Sequence, residues 1–150
     1  MSKNIKQDVE DLGVVFEKFG RSPMVSRVFA FLLLSEPPHQ SFDQIVEFLD
    51  ASKSSISNAL NFLQTEGTVN YITFSGERKR YFKIDTKVWM NNLMSSANNL
   101  SAFNILLENV LTLRSESKHQ DFNNEIQKLL DFQTFLSEKI ETAVREWRSK

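Results

Sequence analysis

Residues 52–67 read SKSSISNALNFLQTEG, and the way this segment divides into two faces decides the fold. Ile56, Ala59, Leu60 and Leu63 recur at helical spacing, and Gly67 is the residue type that ends a helix. Away from that stripe stand Lys53, Ser54, Ser55, Ser57, Asn58 and Asn61. Serine and asparagine are mediocre helix formers, so a merely solvated face would more often be built of Glu, Lys, Gln and Arg. Short polar side chains do suit close approach to phosphates and base edges, and asparagine pairs bidentately with adenine in a major groove.

Upstream, Ser41-Phe42-Asp43-Gln44 has the spacing of a capping box. It opens a helix carrying Phe42, Ile45, Val46, Phe48 and Leu49 that ends near Asp50-Ala51, and Ser52 caps the next one. About three residues separate the two helices, which forces a steep crossing, the helix-turn-helix arrangement. Before them, Ser22 as N-cap and Pro23 at the first helical position start an apolar helix containing Val28, Phe29, Phe31, Leu32, Leu33 and Leu34, stopped by Pro37-Pro38. Earlier still, Ile5, Val9, Leu12, Phe16 and Phe19 step by four and three, and Gly20 ends that helix.

Downstream of Gly67 the period changes to two. TVNYITF and RYFKID are short β-rich runs separated by Ser75-Gly76-Glu77-Arg78-Lys79, which predicts a hairpin with a charged tip. Three helices followed by such a hairpin is the order of a winged helix-turn-helix. From Thr86 on there is no proline or glycine, and two long helices are expected, broken near Ser115–His119. In the second, Phe122, Ile126, Leu129, Gln133, Leu136, Ile140, Ala143 and Trp147 form a coiled-coil-like seam with one polar member, Gln133. The expected fold is mainly α with a small β-hairpin wing: one domain over 1–150, with a winged helix-turn-helix lobe at 22–87 and long helical dimerisation regions at 1–21 and 88–150.

Composition sets the outer limits. With 150 residues, 41% hydrophobic and 25% charged, the chain suits one globular domain with a real core. It has no cysteine, which removes disulfides, thiolate metal sites and cysteine nucleophiles. The longest apolar run, Val28 to Leu34, falls far short of the roughly 20 residues that span a bilayer, and acidic residues stand where a signal peptide would turn apolar. A cytoplasmic location and no membrane association are expected. His39 and His119 have no partner at metal or proton-relay spacing, and no glycine-rich phosphate loop is present. Neither enzymatic activity, a metal nor a cofactor is expected.

Net charge is −1, yet residues 52–87 carry Lys53, Arg78, Lys79, Arg80, Lys83 and Lys87 against only Glu66, Glu77 and Asp85. A cationic hairpin tip can place arginine in a minor groove and its neighbours on phosphate. The candidate double-stranded DNA-binding set is therefore Ser52, Lys53, Ser54, Ser55, Ser57, Asn58, Asn61, Arg78, Lys79 and Arg80. The alternative left open is a winged-helix adaptor that binds another protein, since only the polar helix and basic tip separate the two readings.

Across Phe19 to Asp85 the sequence resembles the MarR-type winged-helix regulators, and within them the GbsR-like branch. The resemblance rests on FGRSPMVSRVFAFLLLSEPP, SFDQIVEFLDASKSSISNALNFLQTEGTVNYI and SGERKRYFKI. Arg27, the run Ser52-Lys53-Ser54-Ser55-Ile56-Ser57, and Gly76-Glu77-Arg78-Lys79 match the three family signatures. Asn61 stands where many relatives carry an arginine, and Ser54 replaces a frequent glycine. The resemblance implies a homodimeric transcriptional regulator, joined through its N- and C-terminal helices, on a near-palindromic operator. It also implies a small effector as an option, because the GbsR-like branch is associated with choline or glycine betaine sensing and aromatic side chains cage quaternary ammonium groups. Trp89 and Phe103 are the aromatic residues on the helix after the wing, where packing is the expected role.

Overall fold

The computed structural model describes residues 4–150, apart from the side chains of residues 97 and 98. Residues 1–3, the start of the expected N-terminal dimerisation segment, lie outside the described residues. The chain divides into two compact units, one ending at Trp89 and the other spanning Met90–Lys150.

In the first unit, α1 (Ile5–Lys18) packs along α2 (Pro23–Leu34). The expected stripe of α1 holds for Val9, which is buried, and for Ile5, Leu12 and Phe16, which pack against the core. Phe19 departs from it: as the residue that ends the helix it is 79% exposed. Arg27 on α2 donates to the carboxylates of both Glu10 and Glu17 on α1, and to the Pro23 carbonyl at 3.0 Å. These hydrogen bonds raise the Arg27 pKa and hold the Glu10 carboxyl below its ordinary value.

α2 is central because it is apolar nearly all round, with Val25, Val28, Phe29, Ala30, Phe31 and Leu32 all buried. Ser22 precedes Pro23 as N-cap, although its hydroxyl makes no capping bond. Phe29 and Leu32 meet Ile45 of α3 (Phe42–Leu49) and Ile56, Leu60 and Leu63 of α4 (Lys53–Glu66) in one core. Each such side chain contributes about 1.5–3 kcal/mol relative to exposure, an upper value because unfolded chains already bury some surface.

The capping box of α3 forms as its spacing predicts. The Gln44 N–H donates to Ser41 Oγ at 3.3 Å, and the Ser41 N–H donates to Gln44 Oε1 at 2.7 Å. Asp50 then adopts a left-handed conformation (φ 48°) that turns the chain, and Ser52 accepts from the Ser55 N–H to open α4. Gly67 closes α4 at φ 80°, where a Cβ would stand 3.0 Å from Val88 Cγ1.

The hairpin strands are shorter than their β-rich sequences: β2 is Val69–Ile72 and β3 is Tyr81–Ile84. A third strand, β1 (Gln40–Ser41), pairs antiparallel with β3 and gives the order β1-β3-β2. Two residues carry no detectable period, so the sequence could not announce β1. Helices and sheet together form a winged helix-turn-helix.

The helix α5 (Thr86–Leu113) starts in the first unit, where Asp85 Oδ1 accepts from the Lys87 and Val88 N–H groups at 3.1 and 3.0 Å. In the second unit it forms a hairpin with α6 (Gln120–Arg148). At the connection Arg114 Nε donates to Asn123 Oδ1 at 2.8 Å, while Asn123 Nδ2 donates back to the Arg114 carbonyl at 3.0 Å. The buried line of α6 is Asn123, Leu130 and Ser137, flanked by half-buried Ile126, Gln133 and Ile140. It is offset from the expected seam, of which Phe122, Leu129 and Trp147 are exposed. Between the two helices Asn104 of α5 donates to the Thr134 and Ser137 hydroxyls of α6 at 3.4 and 3.5 Å.

Candidate nucleic-acid interface

The helix-turn-helix sets α4 with its apolar stripe buried and its polar residues outward. Ser52, Lys53, Ser54, Asn58 and Asn61 are exposed, while Ser55 and Ser57 are half-buried. The serines at the start of α4 are partly committed to capping. Ser52 Oγ accepts from the Ser55 N–H at 3.2 Å, donates to Ser55 Oγ at 2.8 Å and lies 3.2 Å from Ser54 Oγ. These contacts order the helix N-terminus, whose free N–H groups and dipole favour an anion. Among the described residues no hydrogen bond or ion pair engages the side chains of Lys53, Asn58 and Asn61, which leaves them available to meet a ligand.

Sequence reading missed Phe62, which is 51% exposed on α4 and lines an open groove with Ser55, Asn58, Ser22 and Met24. Its signal was present: Phe62 lies four residues beyond Asn58, one helical turn along the same side.

At the wing, the Glu77 N–H donates to the Phe74 carbonyl at 3.1 Å, closing a turn in which Gly76 takes φ 84°, a conformation costly for any residue with a Cβ. Arg78, Lys79 and Arg80 follow, all exposed. Among the described residues no ion pair engages any of the three. Arg80 alone is partly committed, its guanidinium lying 4.6 Å from the centre of the Tyr71 ring. That contact follows from register: Tyr71 opposes Phe82, and Arg80 is two residues before Phe82 on the same face. The tip borders a second open groove with Ser41, Phe42 and Asp43 at the start of α3. Helix and tip thus each edge a concavity of the lobe, and those two grooves have different linings.

Other sequence candidates resolve as structure. His39 packs its ring against Phe74 and Tyr81, and His119 precedes the first residue of α6. Trp89 packs edge-on to Phe29 at 5.0 Å and lies 6.5 Å from Phe16. The cation over this aromatic cluster is the chain's own Arg21, 4.2 Å from the Phe29 ring centre and paired with Glu66 at 2.7 Å. Phe103 is 43% exposed. Among the described residues no group of three or more His, Cys, Asp or Glu is placed to hold a metal ion, and no helix is long and apolar enough to cross a membrane.

These features define a winged helix-turn-helix with an exposed polar helix and an exposed cationic wing. Comparison with known proteins agrees with the fold. A solved structure described as a transcriptional regulator superposes with a TM-score of 0.72 at 19% identity, covering 98% of this chain and 99% of the other. The HTH-type transcriptional regulator MmpR5 of Mycobacterium tuberculosis (strain ATCC 25618 / H37Rv) is 28% identical over 81 residues, 54% of this chain. The match spans about half the length of that relative, 49%. A MepR variant from S. aureus aligns over 89% of each chain at 15% identity, with a TM-score of only 0.44. No family model matches the chain.

Proposed function

We propose that the protein is a DNA-binding transcriptional regulator of the MarR type that acts as a homodimer on a near-palindromic double-stranded operator. The observation that carries this reading is a set of exposed cations, Lys53, Arg78 and Lys79, on the α4 helix and the wing of a helix-turn-helix lobe, which no ion pair engages among the described residues. Phosphate neutralisation by these groups releases counterions and supplies affinity that falls with salt. The asparagines of α4 supply base-edge contacts. The similarity to MmpR5, a protein named as an HTH-type transcriptional regulator, supports the same reading.

Dimerisation belongs to the mechanism because one lobe offers few cations. A pair of lobes roughly 34 Å apart would place α4 of each copy in successive major grooves. The helical hairpin supports pairing: Leu113 is 86% exposed, and Phe132, Phe135 and Trp147 are more than half exposed. Apolar surface on that scale in a soluble chain marks an interaction face. The outer side of α1, with Val14 and Val15 exposed, is the N-terminal contribution to the same assembly.

The finer placement in the GbsR-like branch rests on the Arg27, SKSSIS and GERK signatures. A small-molecule effector is part of that placement, and a thermal-shift titration with choline and with glycine betaine tests it, since binding to the native state raises the melting temperature. The cytoplasm is the location this function requires.

A gel-shift titration against duplex DNA at two salt concentrations tests the main reading. Retention that weakens steeply with added salt is the expected result. Absent retention, or retention indifferent to salt, would instead favour the protein-binding adaptor.

A further inference from the structure

Glu77 places a carboxylate directly beside Arg78 at the wing tip, where a purely electrostatic DNA contact would be better served by a neutral residue. Its surroundings explain why it is there. The Tyr81 hydroxyl donates to Glu77 Oε2 at 2.5 Å, and the Glu77 N–H donates to the Phe74 carbonyl. Glu77 is therefore held at both backbone and side chain.

Tyr81 is itself braced. Its ring centre lies 5.1 Å from that of Phe74 and 5.6 Å from that of His39, both in edge-on geometry, and His39 and Phe74 are 5.3 Å apart. The three rings come from three chain segments: His39 just before β1, Phe74 just after β2, and Tyr81 at the start of β3. Ser41 opposes Tyr81 and Ile72 opposes Tyr81, so alternation sends His39 and Phe74 to the face that Tyr81 occupies. On the opposite face Arg80 rests on Tyr71. Arg78 and Lys79 are thus bracketed by two anchored neighbours.

We infer that Glu77 is a positioning residue of the wing: through the Tyr81 hydroxyl it fixes the direction in which Arg78 and Lys79 leave the sheet, and it is not itself read by the nucleic acid. The inference rests on the DNA-binding reading above. Fixing the tip before binding removes an ordering cost from association, so loss of the anchor weakens affinity without removing a phosphate contact. The bond to a carboxylate also raises the ionisation of the Tyr81 phenol above its ordinary value, which provides a signature independent of DNA.

The test uses the full chain and a mixed-sequence 30-base-pair duplex, followed by fluorescence anisotropy at two salt concentrations, with wild type, Glu77→Gln, Glu77→Ala, Tyr81→Phe and Arg78→Ala. Glutamine still accepts the phenol hydrogen bond and removes one negative charge, so Glu77→Gln is expected to bind at least as tightly as wild type. Glu77→Ala and Tyr81→Phe are expected to bind about 5- to 10-fold more weakly than Glu77→Gln, with the Tyr81→Phe salt slope unchanged. Arg78→Ala reduces that slope by about one. Phenol titration in a Tyr71→Phe background should shift to lower pH in Glu77→Ala. Equal affinity of Glu77→Ala and Glu77→Gln, with salt-sensitive wild-type binding, overturns this inference alone. Failure of the wild type to bind the duplex at either salt overturns the DNA reading and this inference with it.

Discussion

The Arg27 side chain crosses α1 at Gly13: a Cβ built on Gly13 would stand 3.0 Å from Arg27 Cγ. Two opposing effects meet there. Alanine gains about 1 kcal/mol of helix propensity over glycine, while its methyl group crowds an arginine stem fixed by Glu10 and Glu17. We expect Gly13→Ala to be near neutral in urea melts. Gly13→Leu, which cannot be absorbed by a shift of a few tenths of an ångström, should destabilise by about 2 kcal/mol.

The same cluster sets an acid response. Arg27 lowers the folded-state pKa of Glu10, so the pairing stabilises fully above the unfolded carboxylate value of about 4.3 and is lost as pH falls through the folded value. Glu10→Gln should therefore flatten the fall in melting temperature between about pH 5 and pH 3 relative to wild type. Glu10 is half exposed, so solvent screening keeps the effect at neutral pH below about 1 kcal/mol. An unchanged acid profile in the variant would show that other carboxylates dominate.

Phe132→Glu places a charge at an apolar position of α6 that is 61% exposed. If that face pairs two copies, light scattering coupled to size exclusion should report a monomer. Affinity for a palindromic duplex should fall by about 10²-fold or more, because the second half-site is no longer bound from within one assembly. A dimer of unaltered affinity would place the interface elsewhere.

Asn104 is buried between α5 and α6; among the described residues its Oδ1 has no partner, and its amide bonds to Thr134 and Ser137 are long. Removing one partner of a buried hydrogen bond costs little when the group left behind keeps another, and Ser137 Oγ still donates to the Thr134 carbonyl at 3.0 Å. Asn104→Leu is expected to raise the melting temperature, by up to about 1 kcal/mol of stability. Asn104→Asp, which buries a charge in the same place, should lower it clearly.

On α4, Asn58→Ala and Asn61→Ala should change which bases are preferred, each by about 1–3 kcal/mol of discrimination at one position. Arg78→Ala should weaken all sequences alike. A binding-site selection with each variant separates the two behaviours. Identical preferences in the asparagine variants would leave them as solvated positions.

Much of the lobe was legible because its signals are local. The Ser41–Gln44 box, Ser52 as cap and Gly67 as helix end each depend on residues within a turn of one another, and all three form. The period change after Gly67 located the hairpin, though pairing stops at Ile72 and resumes at Tyr81. The strand β1 escaped notice, since two residues acquire a β conformation only by pairing with β3.

The sequence by itself determined the helices, the caps of α3 and α4, the hairpin and the residue types on the outer face of α4, because periodicity and capping act over a few residues. Tertiary structure alone decided which cations remain uncommitted, that Arg80 lies on Tyr71 and Arg21 on Phe29, and that Asn123, Leu130 and Ser137 rather than Phe122, Leu129 and Trp147 face α5. Those outcomes depend on strand register and on which side of each helix is covered, and both are settled by contacts between residues far apart in the chain.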